Sequence, residues 1–384
     1  MIINSLLDTD LYKFTMQQAV MHQFPNAHEV EFHFKCRNEG VNLVNFIDEI
    51  NKEIDHLCTL RFAQEELDYL STQPYIKSDY VDFLSIFQLQ RRFINVIQLN
   101  ENEIDIVIKG PWIHTILFEV PALAIVNEVY FKSTDLLLEG RKRLDNKILQ
   151  IFNKTDKYFK FSEFGTRRRY SRSWQEFVVY SLNYQLPNNF IGTSNVFLAK
   201  KYNLTPIGTM AHEYLQACQS IGPSLRNSQI FALDTWVHEY RGELGIALTD
   251  VIGIDAFLRD FDGYFARIYD GLRHDSGDPI EWGWKVIKHY QKLGIDPLSK
   301  TLVFSDGLTT EEAIKIYNEF KGWVGLSFGI GTHFTNDMGI KALNIIIKMT
   351  SCNGSPVAKI SDSSGKTMCM DEDYLKYLKK TFSK

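Results

Sequence analysis

The sequence is short of the features that announce a special environment. It has five cysteines in 384 residues (Cys36, Cys58, Cys218, Cys352 and Cys369), scattered and odd in number. No C-x-x-C occurs, so neither a disulfide framework nor a cysteine zinc site is expected, and the chain reads as a reduced, cytoplasmic one. There is no basic excess either: Lys plus Arg total 42 against 47 Asp plus Glu, a formal charge of -5. A dedicated nucleic-acid binder, which must neutralise a phosphate backbone, is therefore not expected. The first residues, MIINSLLDTDLYKF, lack the cationic region and apolar run of a secretory signal. One stretch approaches membrane length, Trp112 to Phe131, but it carries His114, Glu119, Pro121, Asn127 and Glu128. Burying these in lipid is costly, so a mostly buried helix, broken or entered at Pro121, is expected in place of a membrane span. No fixed-period repeat or low-complexity segment occurs, which excludes solenoids and propellers.

What is present is core material: 45% of residues are hydrophobic and 13% aromatic. At roughly 100–200 residues per domain the length suits two domains, or a barrel with a smaller partner. Leu7 to Phe24 has the pattern of an amphipathic helix; Val30 to Arg37 and Ile104 to Pro111 alternate as half-buried strands do. Beyond these, short apolar runs end in Gly, Ser, Thr, Asp or Arg, and most lead into helical pattern. They are FKFSEFGTRRR (159–169), NFIGTSN (189–195), TPIGTMAHEY (205–214), LGIALTD (244–250), GLRHDSGDP (271–279), TLVFSDGL (301–308) and VGLSFGIGTHF (324–334). Strands alternating with helices predict a parallel sheet. Because every unit ends in polar residues, a (β/α) barrel with one functional face is favoured over a doubly wound sheet with one switch point. After Thr335, two strand-like runs flank Asn353-Gly354, a hairpin signal, and this tail is expected to leave the barrel and pack with the N-terminal region. The predicted fold is α/β: an irregular (β/α) barrel of parallel strands over residues 131–335, plus an α+β domain built from 1–130 and completed by 336–384.

Several strand ends carry candidate chemistry. Gly329, Gly331 and Thr332 in GIGT, with Ser305 and Gly307 in SDG, offer backbone N–H groups and hydroxyls for a phosphate, although each run alone is also an ordinary turn. GIGTHF is not G-x-G-x-x-G, and Gly365-Lys366-Thr367 lacks the earlier glycine of a P-loop. In FGTRRR, strand alternation predicts that at least one arginine is a surface residue, while Arg167 or Arg169 can clamp an anion and Phe164 can offer a flat apolar face. RHDSGDP packs Arg273, Asp275 and Asp278 into one turn, where the two carboxylates are candidate Mg²⁺ ligands, or Ser276 or Asp278 caps a helix. His212, just past a strand, is open to the roles of general base, metal ligand or nucleophile, though an isolated histidine is usually structural. Asp8 and Asp10 are explained by capping the first helix, and Tyr12 is either a surface residue or an aromatic lid.

In order along nearly the whole chain, DTDLYKFTMQQA, GPWIHTILFEVPALA, EFGTRRRYSR, GTSN, GTMAHE, RHDSGDP, FSDGL and SFGIGTHF resemble the nicotinate phosphoribosyltransferases of the bacterial and fungal type. The resemblance implies synthesis of nicotinate mononucleotide from nicotinate and 5-phosphoribosyl 1-pyrophosphate, the first step of NAD salvage from nicotinate. It also implies coupling to ATP hydrolysis through a phosphohistidine, with Mg²⁺. On this likeness His212 is the phosphorylated residue, Asp250 orients it, and Asp275 joins them. Phe164 and Tyr12 sandwich the pyridine ring, the tyrosine coming from a second subunit of a homodimer with shared sites. Thr209 and Arg273 contact nicotinate, and Arg167 lies beside its carboxylate. Thr332 meets the phosphoribosyl substrate, with Arg37, Lys359 and Lys366 as further phosphate contacts.

One position separates sister families: nicotinamide enzymes carry Asp where this chain has Ser194, whose hydroxyl can donate to a carboxylate. The competing expectations are a nicotinamide- or quinolinate-type transferase on the same fold and a phosphosugar-binding protein without chemistry.

Overall fold

A computed structural model of the chain describes residues 1–363, 367 and 369–383. Its eleven strands are β1 (Val30–Cys36), β2 (Ile94–Gln98), β3 (Ile104–Gly110), β4 (Phe161–Glu163), β5 (Phe190–Thr193), β6 (Ile246–Leu248), β7 (Gly271–His274), β8 (Thr301–Phe304), β9 (Gly325–Ile330), β10 (Ile345–Cys352) and β11 (Ser355–Pro356). They form two sheets. One is antiparallel, in the order β11-β10-β1-β3-β2; the other has six strands in the order β5-β4-β9-β8-β7-β6. Every pairing in the second sheet is parallel.

Six of the seven expected barrel strands form. The seventh, TPIGTM, touches its neighbours on two sides without becoming a strand. Pro206 bridges Thr193, and Ile207 N donates to Thr193 O at 2.9 Å. On the other side Thr209 Oγ1 donates to Ile246 O at 2.8 Å. A proline without an N–H and a side chain standing in for the ladder make this the irregular stave that joins β5 to β6. Inside, Phe159 stacks on Phe328 at 5.0 Å between ring centroids, and Phe304 on Phe328 at 5.9 Å.

The first helix runs Leu11–Gln23, but it is not amphipathic in effect, since every residue from Leu11 to Val20 is buried. Its polar side is paired by protein instead of water. Lys13 bridges Glu119 (2.6 Å) and Glu213, Gln17 accepts from Tyr80 at 2.7 Å, and Gln18 donates to Glu239 at 3.0 Å. Trp112–Phe131 is the one candidate span among the described residues, and 83% of its apolar window lies inside the protein. Its break falls upstream of Pro121, in a 3₁₀ turn over Ile116–Phe118. Proline then sits in the first turn of Glu119–Phe131, where its missing N–H has no partner to lose.

The tail does two things. β10 pairs with β1 from Val30↔Cys352 to Cys36↔Ile345, and Asn353 and Gly354 both take positive φ in the hairpin to β11. It does not stay away from the barrel, however. Residues 357–363 return as a strap across the mouth, with Ile360 N on Val251 O at 2.7 Å and Asp362 N on Ser276 Oγ at 3.0 Å. The N-terminal segment is tied to the same mouth through Leu11 N on Ser194 O at 2.8 Å.

Candidate active site

Parallel strands leave all their C-terminal ends on one side, so the residues after each strand meet at one mouth. Three adjoining cavities open there. The largest, about 370 Å³, is lined by Arg37, Ser305, Gly307, Gly329, Gly331, Thr332 and Lys359, among others. A second, about 80 Å³, is lined by Tyr12, Phe164, Arg167, Ser194, Thr209 and Arg273, with Asp10. A third, about 40 Å³, connects them past His212, Asp275, Glu119 and Lys348. Arg167 and Arg273 line all three.

Of the expected site residues, one falls elsewhere and one is not among the described residues. Asp278 caps the helix Pro279–Lys292, accepting from Glu281 N at 2.7 Å, and is spent there. Lys366 lies outside the described residues.

His212 opens the helix His212–Ile221 with its ring buried. Nε2 lies 2.8 Å from Asp250 Oδ1, 2.7 Å from Lys359 Nζ and 3.4 Å from Asp275 Oδ2. One ring nitrogen holds either a hydrogen or a lone pair, so it cannot donate to Asp250 and accept from Lys359 together. Burial, reinforced by Lys359 and opposed by Asp250, holds the imidazole down at about 4, neutral at physiological pH. Burial alone would raise Asp250, but His212 and Lys359 keep it well below the ordinary carboxylate range. Burial likewise opposes Asp275, yet Arg273 and Lys359 hold it at about 2. Ser276 donates to Asp250 Oδ2 at 2.6 Å and fixes its other oxygen.

His212, Asp250 and Asp275 converge closely enough to hold a metal ion, within 4.8 Å of one another, a grouping that no sequence spacing announces. The Lys359 ammonium already stands among them, 2.7 Å from Asp250 and 3.7 Å from Asp275. Asp275 and Asp306 line the large cavity with carboxylate oxygens, donors of the kind a hard divalent cation takes.

The arginines differ from expectation. Thr166–Arg168 is a 3₁₀ turn, so strand alternation does not apply, although Arg167 keeps a partly exposed side chain 3.6 Å from Glu119. Arg169 is fully buried, gripping Asp8 at 2.6 and 2.9 Å and Glu128 at 2.7 Å. Arg168 and Arg167 line the cavities. The capping explanation for the first aspartates also fails. Asp8 is held by Arg169, and Asp10, though at the helix start, makes no cap bond and accepts from Ser194 Oγ at 2.7 Å. Gly329 and Gly331 serve Phe164: a Cβ on the first would stand 2.3 Å from its ring, and on the second 2.8 Å from its carbonyl.

Tyr12 lines the same cavity as Phe164 within one chain, 8% exposed, and its hydroxyl is buried without a hydrogen-bond partner among the described residues. The residues the sequence does not single out are Asp10, Glu119, Glu163, Lys348, Asp306 and His333. Only Lys348 leaves a signal, a cation in the middle of the apolar strand IIIKMTSC; burial and Lys359, opposed by Glu119, bring it down to about 8.

A model of the Nicotinate phosphoribosyltransferase (NAPRTase) family matches residues 159–384, and that of its N-terminal domain residues 7–127. The chain belongs to the nicotinate phosphoribosyltransferase family. It is 56% identical over 387 residues to the nicotinate phosphoribosyltransferase of Ralstonia nicotianae, covering 100% of this chain and 99% of that one. The crystal structure of nicotinate phosphoribosyltransferase from Vibrio cholerae superposes with a TM-score of 0.95 at 39% identity, covering 100% of this chain and 94% of that one. That from Porphyromonas gingivalis gives 0.93 at 33%, covering 100% of both chains.

For a nicotinate phosphoribosyltransferase the Ser194–Asp10 bond has a consequence. Ser194→Asp sets two buried carboxylates against each other, an uncompensated cost of about 1–3 kcal/mol. Both Tm and kcat/KM for nicotinate are expected to fall, the latter roughly tenfold or more; an unchanged kcat/KM would contradict this.

Proposed function

We propose that this enzyme couples formation of nicotinate mononucleotide to ATP hydrolysis through phosphorylation of His212. The observation that carries the reading is the pair Arg167 and Arg273, which line the flat pocket, the phosphate-sized cavity and the histidine channel together. Nicotinate fits between Phe164 and Tyr12, its carboxylate drawn to the guanidinium groups. Phosphoribosyl pyrophosphate takes the larger cavity, with Ser305, Gly307, Thr332 and Lys359 around its phosphates. The ring nitrogen then displaces pyrophosphate at ribose C1, and the cationic groups stabilise the departing charge. Mg²⁺, held through Asp275 and Asp306, supplies further charge neutralisation when bound. In the coupled step a ring nitrogen of neutral His212 attacks the γ-phosphorus of ATP; the N–P bond forms, the P–O bond to ADP breaks, and water later returns the histidine.

The test is to incubate the protein with phosphoribosyl pyrophosphate and Mg²⁺, with and without ATP, offering nicotinate, nicotinamide or quinolinate. Nicotinate mononucleotide formation stimulated by ATP is expected. Preference for either other ring would refute the assignment.

Tyr12 in its own chain's pocket supports a site complete in one subunit, in place of the shared dimeric site expected from the likeness. Mixing Tyr12→Ala and His212→Ala proteins should therefore recover no ATP-coupled activity, whereas shared sites would restore some. Five free cysteines favour the cytoplasm as the compartment.

A further inference from the structure

Behind the pyridine pocket lies a carboxyl that the chemistry above does not use. Glu163 ends β4 and is 0% exposed. Its Oε1 accepts from Gly165 N, and its Oε2 accepts from Thr193 Oγ1 at 2.6 Å and Gln175 Nε2 at 3.0 Å. Its carbonyl accepts from Ser194 N at 2.9 Å. Glu163 thus fastens Gly165 and Thr193, the chain neighbours of Phe164 and Ser194, which themselves wall the pocket. Among the described residues no cation pairs with it.

We propose that Glu163 is a positioning residue of the pyridine pocket, which holds its two walls in register and sets by its own charge how readily an anionic ring enters. This rests on the nicotinate reading of that pocket.

The network permits two states. Gln175 cannot turn, because its Oε1 accepts from Arg169 Nη1 at 3.2 Å while its Nε2 also reaches Thr166 Oγ1 at 3.0 Å. The Gly165 N–H is a donor only. Thr193 alone can reverse, accepting from a protonated Glu163 while it continues to accept from Asn195 N at 3.0 Å. Burial raises Glu163 to about 7, and Asp10 adds to the effect. The charged groups around this network are Asp10, facing Arg167, and the Asp8–Arg169 pair, reached through Gln175 and Asn195. Protonating Glu163 removes a negative charge beside the pocket, so an anionic ring binds better below neutral pH and binding draws in a proton.

The experiment measures KM and kcat for nicotinate from pH 6 to 8.5 in the wild type, Glu163→Gln and Asp10→Asn. In the wild type KM should rise roughly five- to tenfold with pH. In Glu163→Gln it should stay flat, the effect falling on KM and not on kcat, while Asp10→Asn should keep a pH dependence with its midpoint moved to lower pH. A slope that survives in Glu163→Gln overturns the proposal. Calorimetry of nicotinate binding to the wild type in two buffers of different ionisation enthalpy needs no variant. Proton uptake near pH 7 is expected, and its absence overturns the proposal too. If no nicotinate mononucleotide forms at any pH, the reading of the pocket falls along with this one, a result distinct from either.

Discussion

His212→Ala is expected to lose ATP hydrolysis and labelling by γ-³²P-ATP while keeping slow, ATP-independent formation of nicotinate mononucleotide. The substitution removes the only imidazole in the cluster but leaves Phe164, Arg167 and Arg273, the groups proposed to bind the ring and stabilise the displacement. Transfer and phosphorylation are separate steps, so one can survive the other. The pH dependence follows from the direction of the shift. An imidazole held at about 4 keeps its lone pair as pH falls through the ordinary histidine range near 6.5, and loses it only when pH approaches the lower value. Labelling of the wild type should therefore change little between pH 8 and pH 6. Stoichiometric label in His212→Ala, located by mass spectrometry on another residue, would reject the assignment.

Arg273→Ala is expected to lower kcat/KM for both nicotinate and phosphoribosyl pyrophosphate by roughly 10²–10³-fold, corresponding to about 2–4 kcal/mol for truncating a partly buried, hydrogen-bonded charge. Arg273 is anchored by Nε on Ser305 Oγ at 2.9 Å and lies 3.6 Å from Asp275, so its loss also removes one of the cations that keep that carboxyl ionised. Lysine carries the charge but not the planar fork, and Arg273→Lys should recover less than about tenfold. Steady-state kinetics with each substrate varied in turn checks both points. A loss confined to one substrate would show that the arginine does not bridge the cavities.

The barrel was readable because each strand leaves a local trace, a short apolar run closed by small polar residues before a helix. The stave 205–210 carries the same local trace without forming a full strand. Pro206 and the side-chain bond of Thr209 replace ladder hydrogen bonds, and no alternation of residues reports that exchange. Arg167 to Arg169 escape the pattern for a similar reason: periodicity assigns faces only to a regular strand, and a 3₁₀ turn sends two side chains to the cavities and one into the core. Tyr12 lacked a visible partner in the sequence because its pocket is built from residues nearly two hundred and three hundred positions away, such as Thr209 and Val303.

Chain order alone specifies the alternation of strands and helices, the hairpin at Asn353-Gly354, the family likeness and most of the residues that gather at the mouth. These depend on neighbours in the chain, or on motifs whose order survives without coordinates. Which carboxylate faces which cation is settled only by packing in three dimensions. That packing placed Lys359 between His212 and two aspartates, gave Asp10 to Ser194 and Asp8 to Arg169, and left Glu163 buried without a counter-ion among the described residues. Burial and charge pairing set protonation, and both depend on distances between residues that the chain order keeps far apart.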